Sequence, residues 1–322
     1  MGENLLLKGN VAMVNVKAKQ KKQKKHSFVL FSRKDIPFYI FAAPWIIGMI
    51  IFFLYPAVMS FYYSLTDYDI ISKPVFVGLK NYITLFTKDE IFMKSVQNTL
   101  YMVAFSLPLQ LILQLLLALM LNWEVKGIGI FRAMYYIPVL VPPVSISLLF
   151  TMVYDDNYGV LNGLLRLFGI PPQQWLTSVQ LSKPSIIIMG LWTAGSGMLF
   201  YLSSLKNVPN SLYESASIDG ASAWTKMWKI TLPIISPTIF FQLIMGVIAT
   251  FQLFTESYVL TKGGPDYSSY FMMYYLYLTA FKEGRMGMAS AMAWILFVII
   301  LMFAVLILKT SKKWVYYAED ER

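Results

Sequence analysis

Six stretches of predominantly apolar residues recur along the chain, at residues 37–63, 96–121, 133–153, 185–205, 234–255 and 286–308. Each is near the length of about 20 residues that an α-helix needs to cross a hydrocarbon layer about 30 Å thick. Inside lipid every backbone N–H and C=O must find its partner within the span, so runs of this kind are expected as helices. The overall balance agrees: 57% of residues are hydrophobic, 14% are charged and the mean hydropathy is +0.57, which is too apolar for an ordinary soluble domain. The expected fold is an all-α membrane protein with six transmembrane helices. Pro56, Pro108, Pro138 and Pro142 fall in or near these runs and predict kinks turned toward the bundle interior.

Lys and Arg placement orients the spans. Eighteen of the 27 basic residues lie in the segments 1–36, 122–132, 206–232 and 309–322. An even number of spans puts both ends on one side, so both termini and the segment 206–232 are expected in the cytoplasm. The net charge of +10 is concentrated in the first 36 residues, with six lysines in residues 17–25. That run has no interleaved aromatic residues for base stacking and precedes a span. It is therefore expected as a solvated tail that anchors topology on anionic headgroups, not as a nucleic-acid site. Residues 1–30 have no apolar core, so no cleavable signal peptide is expected.

Several chemistries lack material. The chain has no cysteine and a single histidine, His26, in the basic tail. Disulfides, thiolate nucleophiles, histidine metal sites and Ser-His-Asp catalysis are excluded on that ground. No G-x-x-x-x-G-K-[ST] segment occurs, so no P-loop holds a nucleotide. No cofactor and no metal are expected in this chain.

The segment 209–232 is polar and rich in small residues, yet lies between two apolar runs. Ser211 and Glu214 have capping-box spacing, which predicts a helix starting at Ser211. Asp219-Gly220 is expected to end it, with Gly220 left-handed. Trp224, Met227 and Trp228 then share a face at helical spacing. One reading is an amphipathic helix on the headgroups, with the two tryptophans as anchors. The other is docking: Ser215, Ala216, Ser217, Gly220, Ala221, Ser222 and Ala223 permit close approach to a groove on another protein. Elsewhere, residues 163–169 suggest a short interfacial helix, residues 76–82 a short ordered element, and Thr261-Lys-Gly-Gly-Pro265 a tight turn.

The docking reading coincides with a resemblance. Glu214-Ser215-Ala216, Asp219-Gly220-Ala221, Ile230, Leu232-Pro233 and Pro237 resemble the "EAA" loop of the permease subunits of binding-protein-dependent ABC importers. The family pattern is Glu-Ala-Ala, three residues, Gly, nine residues, Ile, one residue, Leu-Pro. The spacing here agrees throughout, with Ser215 in place of the first Ala. Tyr258-Val-Leu-Thr-Lys-Gly-Gly-Pro265 and Lys313-Trp-Val-Tyr-Tyr317 are similar to the sugar-importing branch, the maltose and glycerol-3-phosphate permease type.

The resemblance implies a type I ABC importer permease-like bundle in the bacterial inner membrane. It implies a basic tail (1–36), a first helix with its extracytoplasmic connection (37–95), a permease core (96–308) holding the coupling loop 209–232, and a cytoplasmic tail (309–322). It implies a second homologous permease subunit in a heterodimer, an ABC ATPase dimer that holds ATP and magnesium, and an extracytoplasmic solute-binding protein that delivers a carbohydrate. Glu214, Ser215, Ala216, Asp219, Gly220 and Ala221 would couple to the ATPase.

A sugar path needs hydrogen-bonding groups and aromatic faces. The candidates are Gln110, Gln114, Trp192, Ser196, Tyr201, Gln242, Gln252 and Glu256, with Glu256 expected at the outer mouth. The competing reading of each is packing between helices, where Gln and Ser commonly bond across the interface. A secondary transporter driven by an ion gradient is the alternative function. The near absence of ionisable residues within the runs counts against it. A scaffolding role would leave the small-residue loop unexplained.

Overall fold

The structure, a computed structural model, describes residues 36–123 and 125–316. The basic run 17–25, His26 and Tyr317 lie outside the described residues. The chain divides after Val58 into two compact units. The first unit contains α1 (Ile36–Met49), which runs into a π-helical turn at Ile50–Leu54 and then the start of α2 (Tyr55–Ser64), whose residues from Met59 on belong to the second unit. Phe41, Trp45, Phe52 and Phe53 of the first unit are largely exposed, as expected of side chains that meet lipid or a partner.

In the second unit a two-residue antiparallel ladder, β1 (Thr66–Asp67) on β2 (Val75–Phe76), precedes α3 (Lys80–Thr87). The long α4 (Glu90–Leu121) follows; Asp89 caps it by accepting the Phe92 N–H at 2.9 Å. The helix continues through Pro108. α5 (Ile128–Tyr136), a 3-10 turn (Ile137–Leu140) and α6 (Pro143–Val153) come next, then α7 (Val160–Leu167). After α8 (Ser182–Trp192) and α9 (Gly195–Lys206) come α10 (Asn210–Ile218) and α11 (Ala223–Lys226). A π-helical turn (Met227–Thr231) leads into α12 (Leu232–Phe251). A third π turn (Ser257–Thr261), α13 (Met272–Phe281) and α14 (Met286–Ser311) complete the described chain.

Among the described residues the six expected spans appear as four continuous stretches and two bent pairs, if each pair is counted as one span. Four helical stretches are long and apolar enough to cross a membrane: Tyr39–Ser64, Glu90–Leu121, Ala223–Phe251 and Met286–Ser311. The third and fourth apolar runs are instead bent pairs. Ile128–Leu140 and Pro143–Val153 meet at 98°, and Ser182–Trp192 and Gly195–Lys206 at 47°. The first break falls at Pro142-Pro143, where neither residue has an N–H to continue the ladder and the residue before each proline is driven from the helical region. Broken spans of this kind are tolerated only where protein or a water-lined cavity covers the freed carbonyls.

Helix α4 is the spine. It packs against α8, α9, α12 and α13, and α14 covers α12 and α13. One end of this unit gathers Ser64, Glu90, Tyr154, Ser182 and Asp266; there Lys94 pairs with Asp266 at 3.0 Å and Lys183 donates to Asn98 at 2.9 Å. The other end gathers Leu121, Lys206, Ile235 and the end of α14. Arg132 caps α4 there by donating to the Leu121 carbonyl at 2.7 Å, and the Tyr316 N–H reaches Ser236 Oγ at 2.8 Å. The loop 209–232 and the end of α14 therefore share one end of the unit, as charge placement predicts. The expected short elements at 76–82 and 163–169 appear as β2 with α3 and as α7.

Candidate functional site

Two features collect the predicted coupling residues and two of the eight path candidates: the loop between α9 and α12, and a cavity where the two bent pairs break.

The loop folds by local rules. Pro209 takes an extended conformation (φ −62°, ψ 128°) and starts α10 at Asn210. The capping box is thus corrected: the N-cap is Pro209, two residues before the expected Ser211, no side chain caps the helix, and Ser211 lies inside the first turn. Pro209 preorganises the entry and displaces Ser211 from the capping position. The far end of α10 agrees with expectation. The Ala221 N–H donates to the Ala216 carbonyl at 2.8 Å and the Gly220 N–H to Ser217 at 3.1 Å, while Gly220 is left-handed at φ +75°. This is a Schellman turn with glycine at the position that tolerates it. Ser222 then caps α11 by accepting the Thr225 N–H at 3.2 Å. Ser222 was not singled out as a cap in the sequence, although Ser ahead of a helical stretch is the usual signal.

Two tethers fold α10 back on the start of the next span: Lys226 Nζ donates to Ser217 Oγ at 2.7 Å, and Tyr213 and Thr231 share a hydroxyl hydrogen bond of 2.9 Å. Glu214, Ser215, Asp219 and Gly220 are exposed, and Ala216 and Ala221 are half-buried. An added Cβ on Gly220 would meet nothing within 4 Å in this chain. Ile218 is 87% exposed at the tip. Trp224 and Trp228 form an edge-to-face pair 5.5 Å apart and are 71% and 55% exposed. Exposed apolar side chains on a polar, capped loop mark a contact surface, for protein or for lipid headgroups.

The second feature is a cavity of about 230 Å³ whose wall includes Pro138, Val141 and Pro143 at one break and Thr193, Ser196 and Glu256 at the other side. Glu256, expected at the outer mouth, lines the same wall as Thr193, which lies between α8 and α9. Of the eight path candidates, the structure brings Ser196 and Glu256 together here. Gln114 and Gln242 face each other instead between α4 and α12, at 3.4 Å, with Gln114 only 6% exposed. Tyr201 is 1% exposed within the apolar cluster of α4, α9 and α12. For these three the packing reading fits. Trp192 is edge-on to Phe150 at 5.3 Å, Gln110 is half-buried and Gln252 is exposed at the end of α12. The sequence reading missed Pro138, Val141, Pro143 and Thr193. The dense prolines at 138–143 were the available signal, read there as a kink and not as a wall.

Four apolar helices long enough to cross a bilayer, with two bent pairs beside them among the described residues, define a multi-pass membrane protein. The chain matches the family described as "Binding-protein-dependent transport system inner membrane component" over residues 98–315 and belongs to that family. It is 37% identical over 294 residues to a probable ABC transporter permease protein, YesP, of Bacillus subtilis (strain 168), covering 90% of this chain and 95% of the relative. It is 36% identical over 279 residues to the lactose transport system permease protein LacF of Rhizobium radiobacter, covering 84% and 92%. A solved bacterial alginate ABC transporter in complex with an alginate pentasaccharide-bound periplasmic protein is similar over 87% of this chain and 96% of its own, with a TM-score of 0.75 and 26% identity. The chain is a multi-pass membrane protein and an ABC permease subunit.

Proposed function

We propose that this chain is the channel-forming subunit of an ATP-driven importer that moves a carbohydrate into the cytoplasm. The observation that carries the reading is the exposed loop 209–232, with its Schellman turn at Gly220 and its match to the family's loop pattern. The relatives' names, among them a lactose permease and an alginate transporter, support a carbohydrate cargo.

On this reading the loop docks on a separate ATPase subunit, which holds ATP and magnesium. Closure of the ATPase pair pushes α10, and the tethers Lys226–Ser217 and Tyr213–Thr231 pass the displacement to the start of α12. The channel alternates between its two openings by rigid-body motion. A second permease subunit completes the channel, and a soluble binding protein delivers the sugar at the far end. The protein resides in the inner membrane with both termini and Gly220 in the cytoplasm.

Substitution at Gly220 tests it. Any L-residue at φ +75° is strained, at roughly 1–2 kcal/mol, and a valine side chain intrudes on whatever groove receives the turn. Gly220→Val is expected to leave membrane levels near normal while the ATPase no longer co-purifies, or hydrolyses ATP without stimulation by the binding protein. Glu214→Ala is expected to give a milder form of the same defect. Were the loop a lipid-surface helix, both changes would be nearly silent and Trp224→Ala or Trp228→Ala would release it. Wild-type co-purification and stimulated hydrolysis in Gly220→Val would overturn the coupling role.

A further inference from the structure

The end of the second unit opposite the loop 209–232 holds a polar cavity of about 210 Å³, where β1, α3 and the start of α14 meet. Two cations line it, Lys80 and Arg285, and one anion, Asp67. Among the described residues the Lys80 ammonium and the Asp67 carboxylate have no partner, while Arg285 lies 3.5 Å from Glu283, which is not part of the wall. Asn81 builds the frame. It is 8% exposed, its Nδ2 donates to the Ser64 and Thr66 carbonyls at 2.9 and 2.8 Å, and its Oδ1 is left without a donor. The Gly287 N–H donates to the Tyr68 carbonyl at 3.0 Å, which holds the segment after β1 on the first turn of α14. The cavity therefore has a fixed frame and presents both signs of charge.

Its depth follows from the spans. The stretch Tyr39–Ser64 ends just before β1, and Met286–Ser311 begins directly after Arg285. Both reach their polar ends at this cavity, which puts it at the level of lipid headgroups. Tyr82 and Phe86 lie on the opposite face of α3 from Lys80 and Thr84. There they line an apolar groove of about 480 Å³ together with Phe61, Trp294, Val298 and Met302. At 1.5 Å per residue, Trp294 and Met302 lie about 12 Å and about 24 Å along α14 from Met286, within the hydrocarbon layer. Phe61, Phe86, Val298 and Met302 are exposed in this chain. A charged cavity at headgroup depth and an apolar groove at acyl depth thus flank one short helix.

A phosphodiester with a primary ammonium beside it matches the cavity. Its phosphate oxygens take the donors of Lys80 and Arg285, and its ammonium gives N–H bonds to Asp67 and to Asn81 Oδ1. An acyl chain matches the groove. We propose that α3 and α14 bind one aminophospholipid, with its head in the polar cavity and an acyl chain in the groove. Without the ammonium, Asp67 and the phosphate would repel each other across the same small space. A trimethylated ammonium has no N–H to give.

Native mass spectrometry of the complex assembled with its permease partner and ATPase, in detergent and without the binding protein, counts the bound lipids. The probes are phosphatidylethanolamine, phosphatidylcholine and phosphatidylglycerol with the same acyl chains, and water-soluble glycerophosphoethanolamine. Phosphatidylethanolamine is expected to bind at a concentration about tenfold lower than either other lipid. Lys80→Gln combined with Arg285→Gln is expected to weaken it about tenfold, and Asp67→Asn to remove its advantage over phosphatidylglycerol. Val298→Trp, which fills the groove, is expected to weaken the lipid and leave glycerophosphoethanolamine unchanged. Equal binding of the three lipids would overturn the site. So would a preference that the cavity variants leave intact, or an assembled complex that holds no such lipid. Glycerophosphoethanolamine binding as tightly as the lipid would move the ligand into solution and overturn the lipid assignment. Cavity variants that lose the solute-binding protein but keep the lipid would overturn it in favour of a protein contact. Should the double variant fail to assemble, Asp67→Asn and the headgroup contrast in the wild type still decide.

Discussion

Gly197 sits where α9 crosses α4 and α12, and a Cβ there would run into the Gln114 and Gln242 carboxamides. The pair of glutamines can face each other between the helices only because this position has no side chain. Gly197→Ala is expected to destabilise the assembled protein by about 1–3 kcal/mol, read as a lowered melting temperature. Gly163, in α7, has open space around its Cβ position and no left-handed backbone. Gly163→Ala is expected to be neutral or to stabilise by up to about 1 kcal/mol. A fall in melting temperature of equal size for both variants would refute the steric account. At this scale the sequence was informative about kind and silent about place. Gln114 and Gln242 stand out as polar residues in apolar runs, but choosing between a lumen and a helix contact needs the face, and the face depends on Gly197, which no local pattern marks. Gly220 is the opposite case, since its conformation follows from the helix end it closes.

The connection between α6 and α8 is held by one side chain. Asn162, fully buried, donates to the carbonyls of Asp156 and Gln173 at 3.0 and 2.9 Å and accepts from the Gln173 N–H and Trp175 Nε1 at 2.9 and 3.0 Å. Nearby, the N–H groups of Tyr158 and Asn157 hold the Asp155 carboxyl below the usual carboxylate range and fix the turn before α7. Asn162→Ala would leave several buried groups unpaired at about 1–3 kcal/mol each. The connection is expected to open, with faster trypsin cleavage after Arg166 while the spans stay inserted. Unchanged cleavage would show that the staple is dispensable.

Elements of this kind mark the boundary of what periodicity reveals. The apolar runs, α7 and the end of α10 were legible because each follows from local composition. The 98° break was half-legible: Pro142-Pro143 announces an interruption, but its angle is set by what α6 packs against. The start of α10 was misplaced because two valid start signals, a proline and a capping box, lay two residues apart. The π turns at 227–231 and 257–261 left no pattern to read, since one extra residue in a helix shifts the register without changing composition.

For the whole molecule, fold class and family were accessible because the bilayer restricts the choices so severely. What stayed hidden was the cavity, which requires two broken spans and the segment after α12 to converge from residues far apart in sequence. Without a P-loop, the purified chain is expected to hydrolyse no ATP above background, and vesicles carrying it alone are expected to accumulate no sugar. Uptake by the lone chain under an ion gradient would favour a secondary transporter. Reporter fusions at Gly220 and after Tyr316 are expected to indicate the same compartment, the cytoplasm, because the structure puts both at one end of the second unit. A periplasm-dependent signal at either would reverse the orientation.

The bond from the Tyr316 N–H to Ser236 Oγ, with Trp314 edge-on to Phe240 at 6.2 Å, fastens the segment after α14 to the first half of α12. The loop works on that same stretch of helix. The segment Trp314–Tyr316 is therefore a natural pointer for the motor's stroke. A fluorophore just beyond it, paired with one on the ATPase, would register each cycle as a change in distance, whereas a rigid tag fused there would act as a brake.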